Sequence, residues 1–86
     1  MTEHDGARRP ELTARELQVL QLMADGLENA EISIRLLISP RAVRHDVAAI
    51  FKKLEVANRT RAALRGLALG LITNDLNANN SRSSTL

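Results

Sequence analysis

The stretch from residue 29 to residue 54 constrains the fold most, because its apolar residues recur at the spacing of two helices joined by a tight turn. Ile32 and Leu36 fall on one face of a short first helix, and Ser39 and Pro40 end the turn. Serine is a favoured N-cap and proline is favoured at the first helical position, so a second helix is predicted to begin at Pro40. Two short helices in this arrangement form a helix-turn-helix.

The second of these helices, predicted over about residues 40–54, carries two different stripes. One is apolar and repeats with the helical period; its members are Val43, Val47, Ile50, Phe51 and Leu54. Ile38, in the turn before this helix, is predicted to be the buried plug of the turn. The opposite stripe is polar and mostly basic, with Arg44 on its flank; it consists of Arg41, His45, Ala48 and Lys52. The first stripe is expected to face a core and the second to face outward.

Capping residues predict where the other helices begin. Thr13, with Glu16 three residues later, forms a capping box that starts a first helix, and Gly26 can adopt the left-handed conformation that ends it. Asn29 is predicted to cap the second helix, and Asn58 a fourth helix of about residues 59–69. The expected fold is therefore all-α, a compact four-helix bundle that contains the helix-turn-helix.

Three segments follow from this pattern. Residues 1–11 are polar and show no period, so we expect a flexible leader before a domain spanning 12–72. Residues 73–86 are polar with no apolar face, and we expect them to be disordered. A chain of 86 residues has room for one small domain, either a stand-alone protein or the output domain of a larger one.

Composition excludes several classes of protein. The chain has no cysteine, which excludes disulfides and thiolate chemistry and is compatible with the cytoplasm. No apolar run approaches the length of a transmembrane helix, and the N-terminus lacks the apolar centre of a signal peptide. His45 is exposed among arginines with nothing to orient it as a base, and no metal-ligand cluster or glycine-rich phosphate loop is present. We expect no enzymatic activity, no cofactor, no metal and no small-molecule ligand.

Charge is distributed unevenly along the chain. Residues 1–40 contain four lysines or arginines against seven acidic residues, whereas residues 41–65 contain seven basic residues against two acidic ones. A basic helix beside an acidic segment indicates a surface that faces a polyanion such as double-stranded DNA. From charge and spacing alone, a solvated basic face or a protein-interaction module built on the same scaffold remains an alternative.

The order of motifs resembles the DNA-binding domain of LuxR/FixJ-type bacterial transcription regulators. The resemblance covers about 50 residues. The matching residues are Leu12, Thr13, Arg15, Glu16, Gly26, Asn29, Glu31, Ile32, Ile38, Ser39, Val43, Lys53, Leu54, Val56, Asn58 and Arg59. Arg44 stands where that family usually has lysine. The resemblance implies a third helix that reads the major groove and a fourth that forms a dimer contact. The Lys-Leu-x-Val-x-Asn-Arg sequence and the fourth helix argue against the similar domain of sigma-factor region 4.

Four positions depart from that family's pattern. Ala30 replaces a lysine and Ala42 a threonine, which removes two groups expected to contact phosphate. Glu55 stands where a glycine is common, so the third helix is expected to end differently. Asp46 replaces a histidine and would repel phosphates unless a cation neutralises it. We expect it to pair with a neighbouring cation rather than to accept a hydrogen bond from cytosine.

These arguments assign a role in binding DNA or a second chain to ten residues. Base-reading residues are expected on the exposed arc of the third helix, at Arg44, His45 and Ala48. Phosphate contacts are expected at Asn29, Ser39, Arg41 and Lys52. On the fourth helix the core side is predicted to be Ala63, Leu64, Leu67, Ala68 and Leu71, which leaves a weak homodimer contact at Ala62, Gly66 and Leu69. RNA polymerase is the further partner expected of a transcription regulator.

Overall fold

A computed structural model describes residues 10–73, and these residues form four helices and no strand. The helices are α1 (Ala14–Ala24), α2 (Asn29–Leu36), α3 (Pro40–Leu54) and α4 (Arg59–Ala68). The predicted all-α four-helix fold is therefore confirmed. Residues 1–9 of the expected leader and 74–86 of the expected tail lie outside the described residues.

Three of the four predicted helix caps are present. In α1 the Thr13 hydroxyl oxygen accepts from the Glu16 N–H at 3.0 Å, and the Glu16 carboxylate accepts from the Thr13 N–H at 2.9 Å. Ser39 Oγ accepts from the first turn of α3 at 3.0 Å, and Asn58 Oδ1 does the same for α4 at 2.9 Å. Each bond satisfies a backbone donor that the helix itself leaves unpaired.

The prediction that Asn29 caps α2 is wrong by one residue. The cap is Glu28, whose backbone N–H donates to the Glu31 carboxylate at 2.7 Å, and Asn29 is the first residue of the helix. The side chain of Asn29 has a different partner, because its Oδ1 accepts from Arg59 at 2.8 Å. The capping preference of asparagine was outweighed by this contact with α4.

The core lies between all four helices, with α3 packed against each of the others. Its buried apolar side chains are Val19, Leu20, Met23, Ile32, Val43, Val47, Ile50, Leu54, Ala62 and Ile72. The apolar stripe predicted for α3 supplies four of these, and Phe51 is half-buried beside them. Ile38 is also half-buried against the core rather than fully enclosed.

The predicted faces of α4 are wrong in part, although Leu67 and Leu71 of the predicted core side do pack against the core. Ala62 and Gly66 point into the core, whereas Leu64 has 61% of its surface exposed and Ala68 is also exposed. A Cβ on Gly66 would lie 2.9 Å from Cδ2 of Leu20, so the missing side chain is what allows α4 to approach α1. Ala62 and Gly66 are therefore unavailable for contact with a second chain. Leu69, the third member of that stripe, is half-buried against the core.

The end of α3 keeps the shape that a glycine would give it. Glu55 adopts the left-handed conformation at φ 59°, and the Val56 N–H donates to the Phe51 carbonyl at 3.0 Å to close the last turn. The expectation that the helix ends differently is therefore wrong. The chain instead places a non-glycine residue in a backbone conformation that costs roughly 1–2 kcal/mol.

Replacing Glu55 with glycine is expected to raise the free energy of unfolding by about 0.5–1 kcal/mol. Glycine removes the steric cost of the left-handed conformation but loses more backbone entropy on folding, so only part of the gain remains. Urea unfolding of the two proteins measures the difference. Glu55→Ala is the control, because it removes the same carboxylate and keeps the strained backbone. Equal stability of the alanine and glycine variants would show that backbone strain is not responsible.

Candidate nucleic-acid interface

The outer face of α3 presents every side chain that the sequence assigned to it. Arg44, His45 and Ala48 are exposed, and so are Arg41 near the start of the helix and Lys52 near its end. From Arg41 to Lys52 this face is roughly 16 Å long. An α-helix is about as wide as the major groove of B-DNA, so this face can lie on base edges. The two ends of the face are then level with the sugar-phosphate backbone of the DNA.

The two phosphate candidates outside this face differ in what they can still donate. Ser39 is exposed, and because its oxygen accepts the capping bond, its hydroxyl hydrogen is available to a phosphate. Asn29 already uses its oxygen to accept from Arg59, which leaves its amide N–H groups for that role. Both residues lie at the N-terminal ends of helices, where the helix dipole favours an anion.

Arg59 is a residue to which the sequence gave a family match but no role. Its Nη2 donates to the Leu27 carbonyl at 2.7 Å while its Nη1 donates to Asn29 at 2.8 Å. The first residue of α4 therefore fixes the loop between α1 and α2 and the start of α2. The charged side chain holds the helix-turn-helix on the rest of the domain.

Two ion pairs join α1 to α3 on one side of the outer face. Asp46 of α3 pairs with Arg15 of α1 through two hydrogen bonds of 2.6 and 3.1 Å, and Lys53 of α3 pairs with Glu16 of α1 at 2.7 Å. These bonds to Arg15 confirm the expectation that Asp46 pairs with a neighbouring cation. The side chain of Asp46 is also buried. A hydrogen bond from cytosine does not fit a carboxylate enclosed in this way. The hydrogen bonds and charge of Asp46 also raise the pKa of Arg15, which stays ionised.

The environment of Glu16 favours its ionised form. Burial disfavours the charge, but the hydrogen bonds from Lys53 and the Thr13 N–H, with the positive charge of Lys53, outweigh it. Together they hold the pKa of Glu16 below its ordinary value. The carboxylate therefore both completes the capping box of α1, by accepting from the Thr13 N–H, and pairs with a cation on α3.

This lowered pKa predicts a loss of stability in acid. In the unfolded chain Glu16 takes up a proton near its ordinary pKa of about 4.3, before it does so in the folded protein. The contribution of Glu16 is therefore complete above that pH and is lost as pH falls through the lowered pKa. Urea unfolding between pH 6 and pH 3 measures the slope, which Glu16→Gln should flatten. Glu11→Gln is the control because Glu11 is exposed. Equal slopes in the wild-type protein and Glu16→Gln would contradict this account.

Among residues 10–73, no group of acidic or histidine side chains could hold a metal ion. In the same part of the chain, no helix has the length and apolar character needed to cross a membrane.

Comparison with known proteins agrees with this architecture. Residues 10–65 match the family described as "Bacterial regulatory proteins, luxR family". This chain belongs to the luxR family. The structure of the transcription factor GerE is similar to it, with a TM-score of 0.70 and 36% identity over 73% of this chain and 94% of that one. Members of this family are DNA-binding transcription regulators rather than enzymes.

Two curated relatives are much longer than the matching region. The chain is 45% identical over 65 residues to the HTH-type quorum sensing-dependent transcriptional regulator RpaR of Rhodopseudomonas palustris, covering 76% of this chain and 27% of the relative. It is 41% identical over 61 residues to the transcriptional regulatory protein DegU of Brevibacillus brevis, covering 71% of this chain and 26% of the relative. The match therefore spans about a quarter of either relative.

Proposed function

We propose that this luxR-family chain binds specific DNA sequences by placing α3 in the major groove. The observation that carries the proposal is the exposed arc of α3, where Arg44, His45 and Ala48 lie between two cations. Arginine can donate two hydrogen bonds to guanine, histidine can donate or accept, and alanine can touch a thymine methyl group. Arg41 and Lys52, at the two ends of the arc, would contact phosphates, with Asn29 and Ser39 as uncharged donors.

The dependence of affinity on salt tests this proposal. Two lysine or arginine contacts with phosphate predict that affinity for random duplex DNA falls about tenfold between 50 and 200 mM salt. Selection from a random DNA pool should in addition yield a preferred sequence. The alternative of a protein-interaction module predicts negligible binding even at low salt. The ion pair of Asp46 weakens that alternative, because the carboxylate no longer adds an unpaired negative charge to the outer face.

We further propose a homodimer that reads two half-sites, with its contact on the outer side of α4. Leu64 is the centre of this surface because it is exposed on the helix that the family resemblance associates with dimers. It borders a groove of about 450 Å³ between α4 and the loop after α1, which a second chain could enter. The contact is small, so the dimer should be weak in solution and favoured on DNA.

Leu64→Glu is expected to abolish cooperative binding to a duplex with two half-sites. A buried carboxylate would be repelled from the same position of the second chain, whereas binding to one half-site should be unchanged. Ile34→Glu is the control, because Ile34 is an equally apolar exposed residue on α2. Cooperativity is the ratio of the affinities for the two duplexes, measured by gel shift. An unchanged ratio in Leu64→Glu would exclude this surface as the dimer contact.

Action on bacterial DNA would take place in the cytoplasm, and regulation of transcription would bring the protein next to RNA polymerase. Transcription in vitro from a promoter carrying the selected site, with purified polymerase, tests both a direct effect and its sign. No change in transcript level would limit the function of this chain to DNA binding.

A further inference from the structure

The two ion pairs between α1 and α3 are arranged in layers. Their acidic side chains are buried, with 5% of Asp46 and 7% of Glu16 exposed. Their basic side chains lie outside them, with 46% of Arg15 and 37% of Lys53 exposed. A molecule that approaches this side of α3 therefore meets cations first. An anion in the outer layer would have made the same surface repel DNA.

Arg15 keeps donors that Asp46 does not use. The carboxylate accepts from Nε and from Nη2 of the guanidinium, which has five N–H groups in a rigid plane. Nη1 makes no hydrogen bond to any of the residues 10–73 that the structure describes, and its two N–H groups point away from the carboxylate because the guanidinium is planar. Asp46 therefore holds the side chain in one orientation while leaving one edge of it open to an acceptor.

The position of this open edge follows from the helix geometry. His45 lies at one edge of the arc that faces the bases, and Asp46 follows it directly, so the side chain of Asp46 leaves α3 about 100° beyond that edge. When the arc lies on the base edges of the major groove, the surface beyond either edge of the arc faces a groove wall, which is made of phosphates. Arg15 extends over Asp46 on this side, and Arg44 lies on the opposite flank of the arc.

We propose that Arg15 of α1, outside the helix-turn-helix, donates a hydrogen bond to a DNA phosphate and that Asp46 is the positioning residue that orients it. This inference rests on the proposed entry of α3 into the major groove. It also accounts for an aspartate on a DNA-facing helix, since the carboxylate supports a phosphate contact instead of opposing one.

The test uses duplexes in which one backbone phosphate at a time is replaced by an uncharged methylphosphonate. The wild-type protein should lose about tenfold in affinity when the phosphate facing Arg15 is replaced. The double variant Arg15→Gln with Asp46→Asn keeps the net charge of the protein. It should bind the unmodified duplex about tenfold more weakly and be insensitive to replacement of that phosphate.

Three further variants separate this role from structural effects. Arg15→Met with Asp46→Leu replaces the pair by apolar side chains of similar size, so that no carboxylate is left buried without a partner, and should behave like the first double variant. Glu55→Gln with Arg61→Gln also conserves net charge at exposed positions and should keep the wild-type pattern. Asp46→Asn alone should reduce the sensitivity at the phosphate facing Arg15, although it makes the protein more positive. Greater sensitivity there would show that Asp46 repels the phosphate and does not orient Arg15.

The outcomes distinguish this inference from the proposed function. One outcome is that the two double variants that lack the Arg15–Asp46 pair are folded and yet lose the same affinity as the wild-type protein at every replaced phosphate. In that case Arg15 is not a phosphate contact, and α3 can still be the reading helix. If no phosphate replacement affects the wild-type protein, the proposed DNA-binding mode fails, and this inference fails with it. Circular dichroism of each variant establishes that it is folded before binding is measured.

Discussion

Replacing Gly66 with leucine is expected to remove about 3 kcal/mol from the free energy of unfolding, the upper end of the usual cost of overpacking. Gly66 is buried in α4, and a Cβ there would already lie 2.9 Å from Leu20 Cδ2 and 3.1 Å from Ile72 Cδ1. Leu20 is itself fully buried and cannot move aside without displacing the core. Leucine favours helix over glycine by about 1 kcal/mol, which offsets only part of the loss.

Such a loss is large for a domain of this size, whose total stability is on the order of 3–9 kcal/mol. Thermal and urea unfolding measure it. Ala68→Leu is the matched control, because Ala68 is a small residue on the same helix but is exposed, and it should unfold like the wild-type protein. If Gly66→Leu were as stable as this control, α4 would not pack against α1 as described.

Replacing Arg44 with alanine is expected to lower affinity for the preferred DNA site by about 1–3 kcal/mol, which is a loss of roughly fivefold to 150-fold. Arg44 is exposed on the flank of the arc that α3 presents. Loss of a two-donor contact with guanine should also relax the preference at one base pair, and selection from a random pool with the variant would reveal this change. Uniform weakening across all sequences would mean that Arg44 contacts only phosphate.

Arg61→Ala is the matched control for that measurement. It removes the same charge from an exposed position on α4, away from the arc. Both variants are compared on a duplex with a single half-site, so that an effect on dimer formation does not enter. Arg61→Ala should alter neither the preferred sequence nor, beyond a small general effect of charge, the affinity.

Features set by neighbouring residues in the chain could be predicted from the sequence. The caps at Thr13, Ser39 and Asn58 depend on a side chain and a backbone N–H three residues apart, and all three are present. The two faces of α3 were also predicted correctly, because its apolar residues follow the helical period without interruption. For the same reason the side chains of the arc, including Arg44 and His45, lie where the sequence placed them.

Features that depend on distant residues could not be predicted in this way. The apolar residues of α4 occur on several sides of the helix, between Arg59, Arg61 and Arg65, so their spacing alone did not identify the inner face. Contact with Leu20 and Ile72 determines it. Asn29 had a good capping preference, and nothing nearby in the sequence indicated that Arg59 would bind its oxygen. A cation for Asp46 was expected, but only the packing of α1 against α3 brings Arg15 to it.

The contacts after α4 show how far along the chain a fragment must extend at least in order to keep the core intact. Ile72 is buried against Gly66, and Thr73 and Gln21 exchange two hydrogen bonds of 2.8 and 3.1 Å that fasten the end of the domain to α1. The family match, in contrast, stops at residue 65. A fragment cut at that boundary would expose Leu20 and lose the last layer of the core. A fusion or truncation designed for this domain should therefore retain the chain through Thr73.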